Sequence, residues 1–340
     1  MRHRACVFAI AALAVVAGVT SGCTRQPPRL ASSWPEASAE ATIAAPLGAA
    51  TWPLTGAARP ANARASRVAL ATFFAPGAVS RQLAGVGAAD VVYEWAGSGS
   101  QTQVAALLQS TVPAVAGPVG VSNPVAQAIA RQYRAAPCYV TSSGLPPAPS
   151  APGETKAMTP VSFPSAFGKG TAGLLGGTYL RAQKAYAAIP PAAAAGQQPG
   201  RLFFSASVDA TQPTTAVTVP LSAKAGVRWS YRAKPRSYER DVSGRLQRDA
   251  SSNKAIAVQN LVVMWVRPAE AGAGAASGDL TPVGSGQVSV FRDGVRLDGH
   301  WRASVDSPPR FTAEDGAPIL FAPGVTWFEI IPLTANIAIK

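Results

Sequence analysis

Two carboxylates, Asp90 and Glu94, flank the apolar stretch Val91-Val92-Tyr93. On a strand, side chains alternate, so this even spacing puts both acids on one face. Paired acids in that position could do general acid–base work or hold a cation. Their bland reading is equally physical: acids at strand ends cap nearby backbone or pair with arginine, and perturbed carboxylates also occur in structural pairs. Other reactive types are sparse. His300 stands beside Trp301 on a strand pattern and reads as structural. Cys138 lies in the apolar run Ala135–Val140 and reads as a buried, inert thiol rather than a nucleophile. The loops 97–100 and Ser142-Ser143-Gly144 lack the strand–turn–helix setting of a phosphate cradle or a nucleophile elbow. Nothing in the sequence calls for a cofactor or a bound metal.

A second constellation is basic. Residues 228–254 hold Arg228, Arg232, Lys234, Arg236, Arg240, Arg245, Arg248 and Lys254, against Glu239, Asp241 and Asp249. Trp229, Tyr231 and Tyr238 are interleaved with them. Basic plus aromatic can mean nucleic acid, but the address read below argues against that partner. Anionic lipid headgroups and cell-wall polymer are then the available anions, with Arg228, Arg232, Lys234, Arg236 and Arg240 as the candidate contacts. The alternative is a solvated hairpin whose aromatics pack inward.

The address comes from the first residues. Arg2, His3 and Arg4 precede fifteen apolar or small residues, 5–19, followed by Thr20-Ser21-Gly22-Cys23. That is a secretory signal with small residues before the cleavage point. The cysteine directly after Gly22 makes it look like a bacterial lipoprotein signal, cut before Cys23; the alternative is an ordinary secreted protein in which Cys23 is incidental. The run is shorter than the roughly 20 apolar residues of a membrane span. Two or more acyl chains on Cys23, palmitate among them, would anchor the chain stably at the extracytoplasmic face of the cell membrane. Removing residues 1–22 leaves His300 and Cys138 as the one histidine and the one unmodified thiol. That excludes a multi-histidine zinc site, a cysteine-cluster metal site and an internal disulfide.

The elements that must position these groups follow from composition and period. The 340 residues carry a formal net charge of +13, with 48% apolar and 14% charged side chains, enough apolar content for a real core. Residues 23–50, rich in Pro, Ala, Ser and Thr, read as a disordered tether. Residues 51–195 read as an N-terminal α/β domain. Val68–Phe74 and Asp90–Trp95 suit strands, while Gln103–Leu108 is ambiguous. A helix is expected from Pro124, capped by Asn123, and another over Leu174–Ile189. Residues 196–335 read as a mostly antiparallel β domain. Strands are expected at Leu202–Ser207, Ala216–Leu221, Val227–Tyr231 and Asn260–Val266. The pair Gln287–Phe291 and Val295–Trp301 flanks Asp293-Gly294, a strong hairpin signal. The expected class is thus α/β in the broad α+β sense: a strand–helix half followed by a β-rich half.

The residues of the second half resemble the C-terminal domain of the YerB-like family of bacterial lipoproteins, a family without an assigned activity. The resemblance is carried by Trp229, Tyr231, Tyr238, Arg240, Gly244, Asp249 and Asn260-Leu261-Val262-Val263. It continues through Gly284-Ser285-Gly286, Phe291-Arg292-Asp293-Gly294, Gly299, Trp301 and Pro323–Glu329. The first half is similar to the same family's N-terminal domain through Pro53-Leu54-Thr55-Gly56, Ala89–Glu94 and Gly117-Pro118-Val119.

Departures from the family pattern are concentrated in the first half. Phe73-Phe74-Ala75 stands where the resemblance leads one to expect an Asp-Asn pair. Gln103, Gly120 and Asn123 stand where it leads one to expect arginines. Any anion site the family builds there is then degenerate in this chain, because none of the three offers arginine's permanent charge and fork of donors. The reading is a membrane-anchored, extracytoplasmic lipoprotein that binds through its surface to wall polymer, headgroups or a protein partner. The alternative is an envelope hydrolase or transferase using Asp90 and Glu94. An enzyme would gather polar groups around those acids in a cleft; a binder would bury or pair them.

Overall fold

Short β-rich runs bounded by glycine, proline and Asp-Gly pairs become eighteen strands among the described residues, with two α-helices set between them. The computed structural model describes residues 51–340 except 64–66, 77–81, 98–100, 146, 148–154, 172, 190–199, 211, 223–224 and 270–278. The signal segment, Cys23 and the tether lie outside the described residues. In chain order the first strands are β1 (Leu70–Phe73), β2 (Val91–Ala96), β3 (Thr102–Leu108), β4 (Ala136–Cys138), β5 (Phe167–Lys169) and β6 (Thr178–Leu180). Then come β7 (Gln212–Pro213), β8 (Ala216–Ser222), β9 (Ala225–Arg232), β10 (Ser237–Val242), β11 (Arg245–Leu246) and β12 (Ala257–Val258). The last are β13 (Asn260–Val266), β14 (Gly284–Arg292), β15 (Val295–Ser304), β16 (Ser307–Ala313), β17 (Thr326–Pro332) and β18 (Ala338–Ile339). The helices are α1 (Pro124–Gln132) and α2 (Ala182–Ala188). The fold is therefore mainly β, which corrects the expected balance of strand and helix.

One large sheet runs β16-β15-β14-β13-β17-β2-β3-β1-β4, with β7 added beside β15. It crosses the sequence boundary expected near residue 195. Its centre is parallel: β13 pairs β17 and β17 pairs β2, so Val91–Trp95 lies in register with Thr326–Ile330. The described residues of both halves belong to one compact unit, Ala41–Lys340. A second sheet, β11-β10-β9-β8-β18 with β12 beside β10, is antiparallel throughout.

Alternation along the central strands makes two cores. On one face Val92, Leu261, Val263, Trp327 and Ile331 meet Val217, Val219, Val227, Trp229 and Tyr238 of the second sheet, with Ala182 and Ala185 of α2 in the same cluster. On the other, Val91, Tyr93, Trp95, Val262, Phe328 and Ile330 meet Val125 and Ile129 of α1 and Phe311 of β16. Asn123 caps α1 as expected: its Oδ1 accepts from the Ala126 amide at 2.9 Å, and Pro124 opens the helix. Asp293 and Gly294 both take positive φ, 54° and 78°, in the β14–β15 turn, as a two-residue hairpin requires.

Two expectations fail locally, and one open reading is settled. The helix expected over Leu174–Ile189 keeps only its last part. Gly176-Gly177, with Gly177 at φ 146°, interrupts it, and Thr178–Leu180 pairs with β5 instead. Leu202–Ser207 contributes one bridge, Phe204 to Phe321, rather than a strand. The ambiguous run at 103–108 is a strand, because β1 and β2 both pair with it.

Candidate functional site

Asp90 and Glu94 do lie on one face of β2, but different partners claim them. Asp90 opens β2 and is 1% exposed. Its Oδ2 accepts from the amides of Gln109 and Ser110 at 2.5 and 2.7 Å, and its Oδ1 from the Ser110 hydroxyl. The acid thus holds the turn that follows β3. Burial pushes its carboxyl up to about 6, against the hydrogen bonds from Ser110 and Gln109 and the charge of Arg67. The Arg67 guanidinium itself lies 5.2 Å from the ring of Trp52 and 5.2 Å from that of Tyr186.

Glu94 is fully buried between the sheets. Arg240 of β10 donates from Nη2 to both its oxygens at 2.7 Å, and Trp327 Nε1 donates to Oε2 at 3.2 Å. The Arg240 guanidinium lies 5.1 Å from the Trp327 ring and 5.9 Å from the Trp229 ring, and its Nη1 donates to Gln247. Arg240 was expected on the basic surface. It is fully buried, because Tyr238, Arg240 and Val242 share the inward face of β10 and only the paired acid makes that burial tolerable.

A second acid, Glu329, completes the cluster. It is Glu94's register partner on β17, is equally buried, and accepts from Trp229 Nε1 at 2.8 Å through Oε1. Its Oε2 has no hydrogen-bond partner among the described residues. Two acids therefore face one guanidinium. Burial raises both carboxyls; at Glu94 the charge and hydrogen bonds of Arg240, and the donors Trp327 and Thr102, oppose it. At Glu329 burial, then the negative charge of Glu94, pushes the carboxyl well up. Arg240 contacts Glu94 and not Glu329, so the arrangement favours charge on Glu94 and the proton on Glu329. The cluster is a buried tie between the two sheets. Sequence reasoning singled out neither Glu329 nor Gln247, although an acid inside the apolar run Trp327–Ile331 was a visible signal.

The remaining candidate cations are exposed: Arg228, Arg232, Lys234 and Arg236, joined by Arg245, Arg248 and Lys254. Some are partly neutralised. Arg232 pairs with Glu239 at 2.7 Å and Arg236 with Asp293 at 2.8 Å, while Asp241 lies opposite Arg228 in register. Trp229 and Tyr238 are buried beneath, so the interleaved aromatics serve the core. Cys138 is buried, and burial raises its thiol. His300 has Nδ1 3.9 Å from Glu314 Oε1.

The departing positions of the first half come together. Asn123 Nδ2 donates to Gln103 Oε1 at 2.8 Å, and the Gly120 amide donates to the Phe73 carbonyl at 2.7 Å. A Cβ on Gly120 would stand 2.7 Å from the Phe74 carbonyl oxygen and 2.8 Å from Ala75 Cα. Glycine at 120 and the bulky Phe73-Phe74-Ala75 run thus belong to one packing solution.

This mainly β body, a long mixed sheet covered by a smaller antiparallel one, defines a class by fold. Two domains described as DUF3048, protein of unknown function, match it: the N-terminal domain at residues 54–155 and the C-terminal domain at 217–328. The chain belongs to this YerB-like family. It is similar in fold to the crystal structure of the YerB protein from Bacillus subtilis, with a TM-score of 0.68 at 20% identity. That likeness covers 85% of this chain and 99% of the other. No curated protein matches the chain.

Proposed function

We propose that this chain is a lipoprotein of the bacterial cell envelope, anchored through Cys23 at the extracytoplasmic face of the cell membrane, and that it binds rather than catalyses. One observation carries the choice between binder and enzyme. The two acids that sequence chemistry offered for catalysis are each buried and committed, Asp90 to the Gln109–Ser110 turn and Glu94 to Arg240. An acid–base pair must reach a substrate's proton within hydrogen-bond distance, and neither acid presents an accessible oxygen. Within the mainly β fold, the strand–helix first half supplies the scaffold. The antiparallel second half supplies the exposed cations that suit an anionic partner, wall polymer or lipid headgroup. Among the described residues no helix is long and apolar enough to cross a membrane, so attachment in this reading rests on the lipid.

The test is Cys23→Ala in the native host, followed by membrane fractionation and intact-mass measurement. The wild type should carry acyl mass and sediment with membranes. The variant should be released or remain unprocessed. Unchanged attachment with no acyl mass on the wild type overturns the anchoring.

A further inference from the structure

The chain joins the folded body beside the start of β17. The Gly324 amide donates to the Thr55 carbonyl at 2.8 Å, and the Leu202 amide to the Pro53 carbonyl at 3.1 Å. From there an unbroken set of contacts leads to the β9–β10 turn. Gly56 lies against Phe204, where an added Cβ would stand 2.5 Å from the ring. The next carbonyl, that of Ser205, accepts from Arg292 Nη2 at 2.9 Å. Arg292 pairs with Asp293 at 2.7 Å, and Asp293 also accepts from Arg236 Nη2 at 2.8 Å. Tyr231, at the end of β9, packs on Gly294. The turn at 233–236 and the incoming chain therefore lie at the same end of the body, where β2, β13 and β17 begin.

The charge at that turn is not cancelled. Glu239 balances Arg232, but Asp293 serves both Arg236 and the buried Arg292, which leaves one positive charge, and Lys234 adds another. The Arg236 side chain is 60% exposed. The exposed acids Glu314 and Asp315 follow β16, the strand beside β15 in the large sheet.

We infer that the β9–β10 turn, through Lys234 and Arg236, is a docking surface for the anionic phospholipid headgroups of the membrane that holds the anchor. The inference rests on the proposed lipidation of Cys23. The 27 residues 24–50 span at most about 90–100 Å even fully extended, so an anchored body stays within reach of the surface. Tethering raises the effective concentration of the surface to about the millimolar range. Each basic side chain at an anionic surface is worth about a fivefold change in partition. Two uncancelled charges on a tethered end thus suffice to bias which end faces the bilayer, though they would hold an untethered protein only weakly. Wall polymer would compete for the same charges without fixing that orientation.

The experiment uses the full, lipid-processed chain reconstituted in vesicles of phosphatidylcholine alone or with about 30% phosphatidylglycerol. A fluorophore is placed at Ala233→Cys, in the turn, or at Val305→Cys, in the exposed β15–β16 turn at the other end. Headgroup-level quenching lipids should quench the label at 233 and spare that at 305. They should do so only in phosphatidylglycerol vesicles, and less as salt rises, because exposed charges are screened over about 8–10 Å at physiological ionic strength. The Lys234→Ser/Arg236→Asn double variant should lower the bound fraction constant by about tenfold or more; asparagine keeps the left-handed backbone that Arg236 adopts at φ 63°. An anchored protein quenched equally at both labels, or at neither, overturns the docking surface and leaves the anchoring intact. A chain that is not retained even on phosphatidylcholine vesicles overturns the anchoring reading, and the docking inference with it.

Discussion

Replacing Glu94 and Glu329 separately by glutamine should give opposite results, although the two acids are register partners on adjacent strands. Glu94→Gln removes the carboxylate that Arg240 pairs with, leaving a fully buried guanidinium with a neutral amide in place of its anion. Breaking a buried pair from one side costs about 3–5 kcal/mol. Glu329→Gln keeps an acceptor for Trp229 Nε1 and, with the proton assigned to Glu329, removes no charge. Two ionised carboxyls about 5 Å apart would repel by roughly 3 kcal/mol at an effective dielectric constant of about 20, which is the reason one of them stays neutral. The glutamine variant should therefore fall within about 1 kcal/mol of wild type near pH 5, where the unfolded carboxyl is only beginning to ionise. The pH dependence has a definite sign. Glu329's folded pKa lies above the ordinary 4.5. Its contribution to stability is then full below that value and is lost as pH rises through the raised one. Glu329→Gln lacks this loss, so its stability relative to wild type should improve with pH. Urea unfolding of both variants at pH 5, 7 and 9 reads all of this through midpoints at constant slope. Equal damage from both substitutions, or a pH-independent gap between Glu329→Gln and wild type, would refute the assignment of charge to Glu94 and proton to Glu329.

Asp90 should show a similar sign at lower pH: with its carboxyl raised from 3.8 to about 6, its contribution to stability is lost as pH climbs across that interval. Asp90→Asn should flatten that slope in thermal unfolding and cost about 1–3 kcal/mol, because a neutral amide oxygen accepts less strongly than a carboxylate from the Gln109 and Ser110 amides. Titration with inorganic phosphate should show no binding at the Gln103–Asn123 cluster in the millimolar range; heat evolved there, lost in a Gln103→Ala variant, would count against a degenerate site. Restoring an arginine by Gly120→Arg should not rescue such binding. It should instead lower the unfolding midpoint, by about 2 kcal/mol or more, since the first added carbon already meets the Phe74 carbonyl.

Much of this fold was legible, and the failures have physical causes. The Asp293-Gly294 turn, the Asn123 cap and the buried run at 260–266 depend on local chemistry, which the sequence displays directly. Pairing at a distance does not: β2 meets β17 across more than 200 residues, and no periodicity announces a parallel neighbour. The strand at 307–313 escaped notice because Pro308-Pro309 argue against a strand, yet β16 is an edge, where proline is tolerated. The site was half legible for a related reason. Alternation already set Arg240 inward with Tyr238 and Val242, but the side-chain type argued for the surface, since arginine is rarely buried unless paired. Its pair lay on the first half of the chain, in Glu94, so the partner that licensed the burial could not be read from the basic segment alone. The same clue was present twice, in the acids inside Val91–Ala96 and Thr326–Pro332. Two acids buried in apolar strands imply a buried cation, and the inward position of Arg240 identifies it. What reached the surface in its place is the shorter set of cations around the β9–β10 turn. The charge of residues 228–254 thus divides between an interior tie that joins the sheets and an exterior set exposed to solvent.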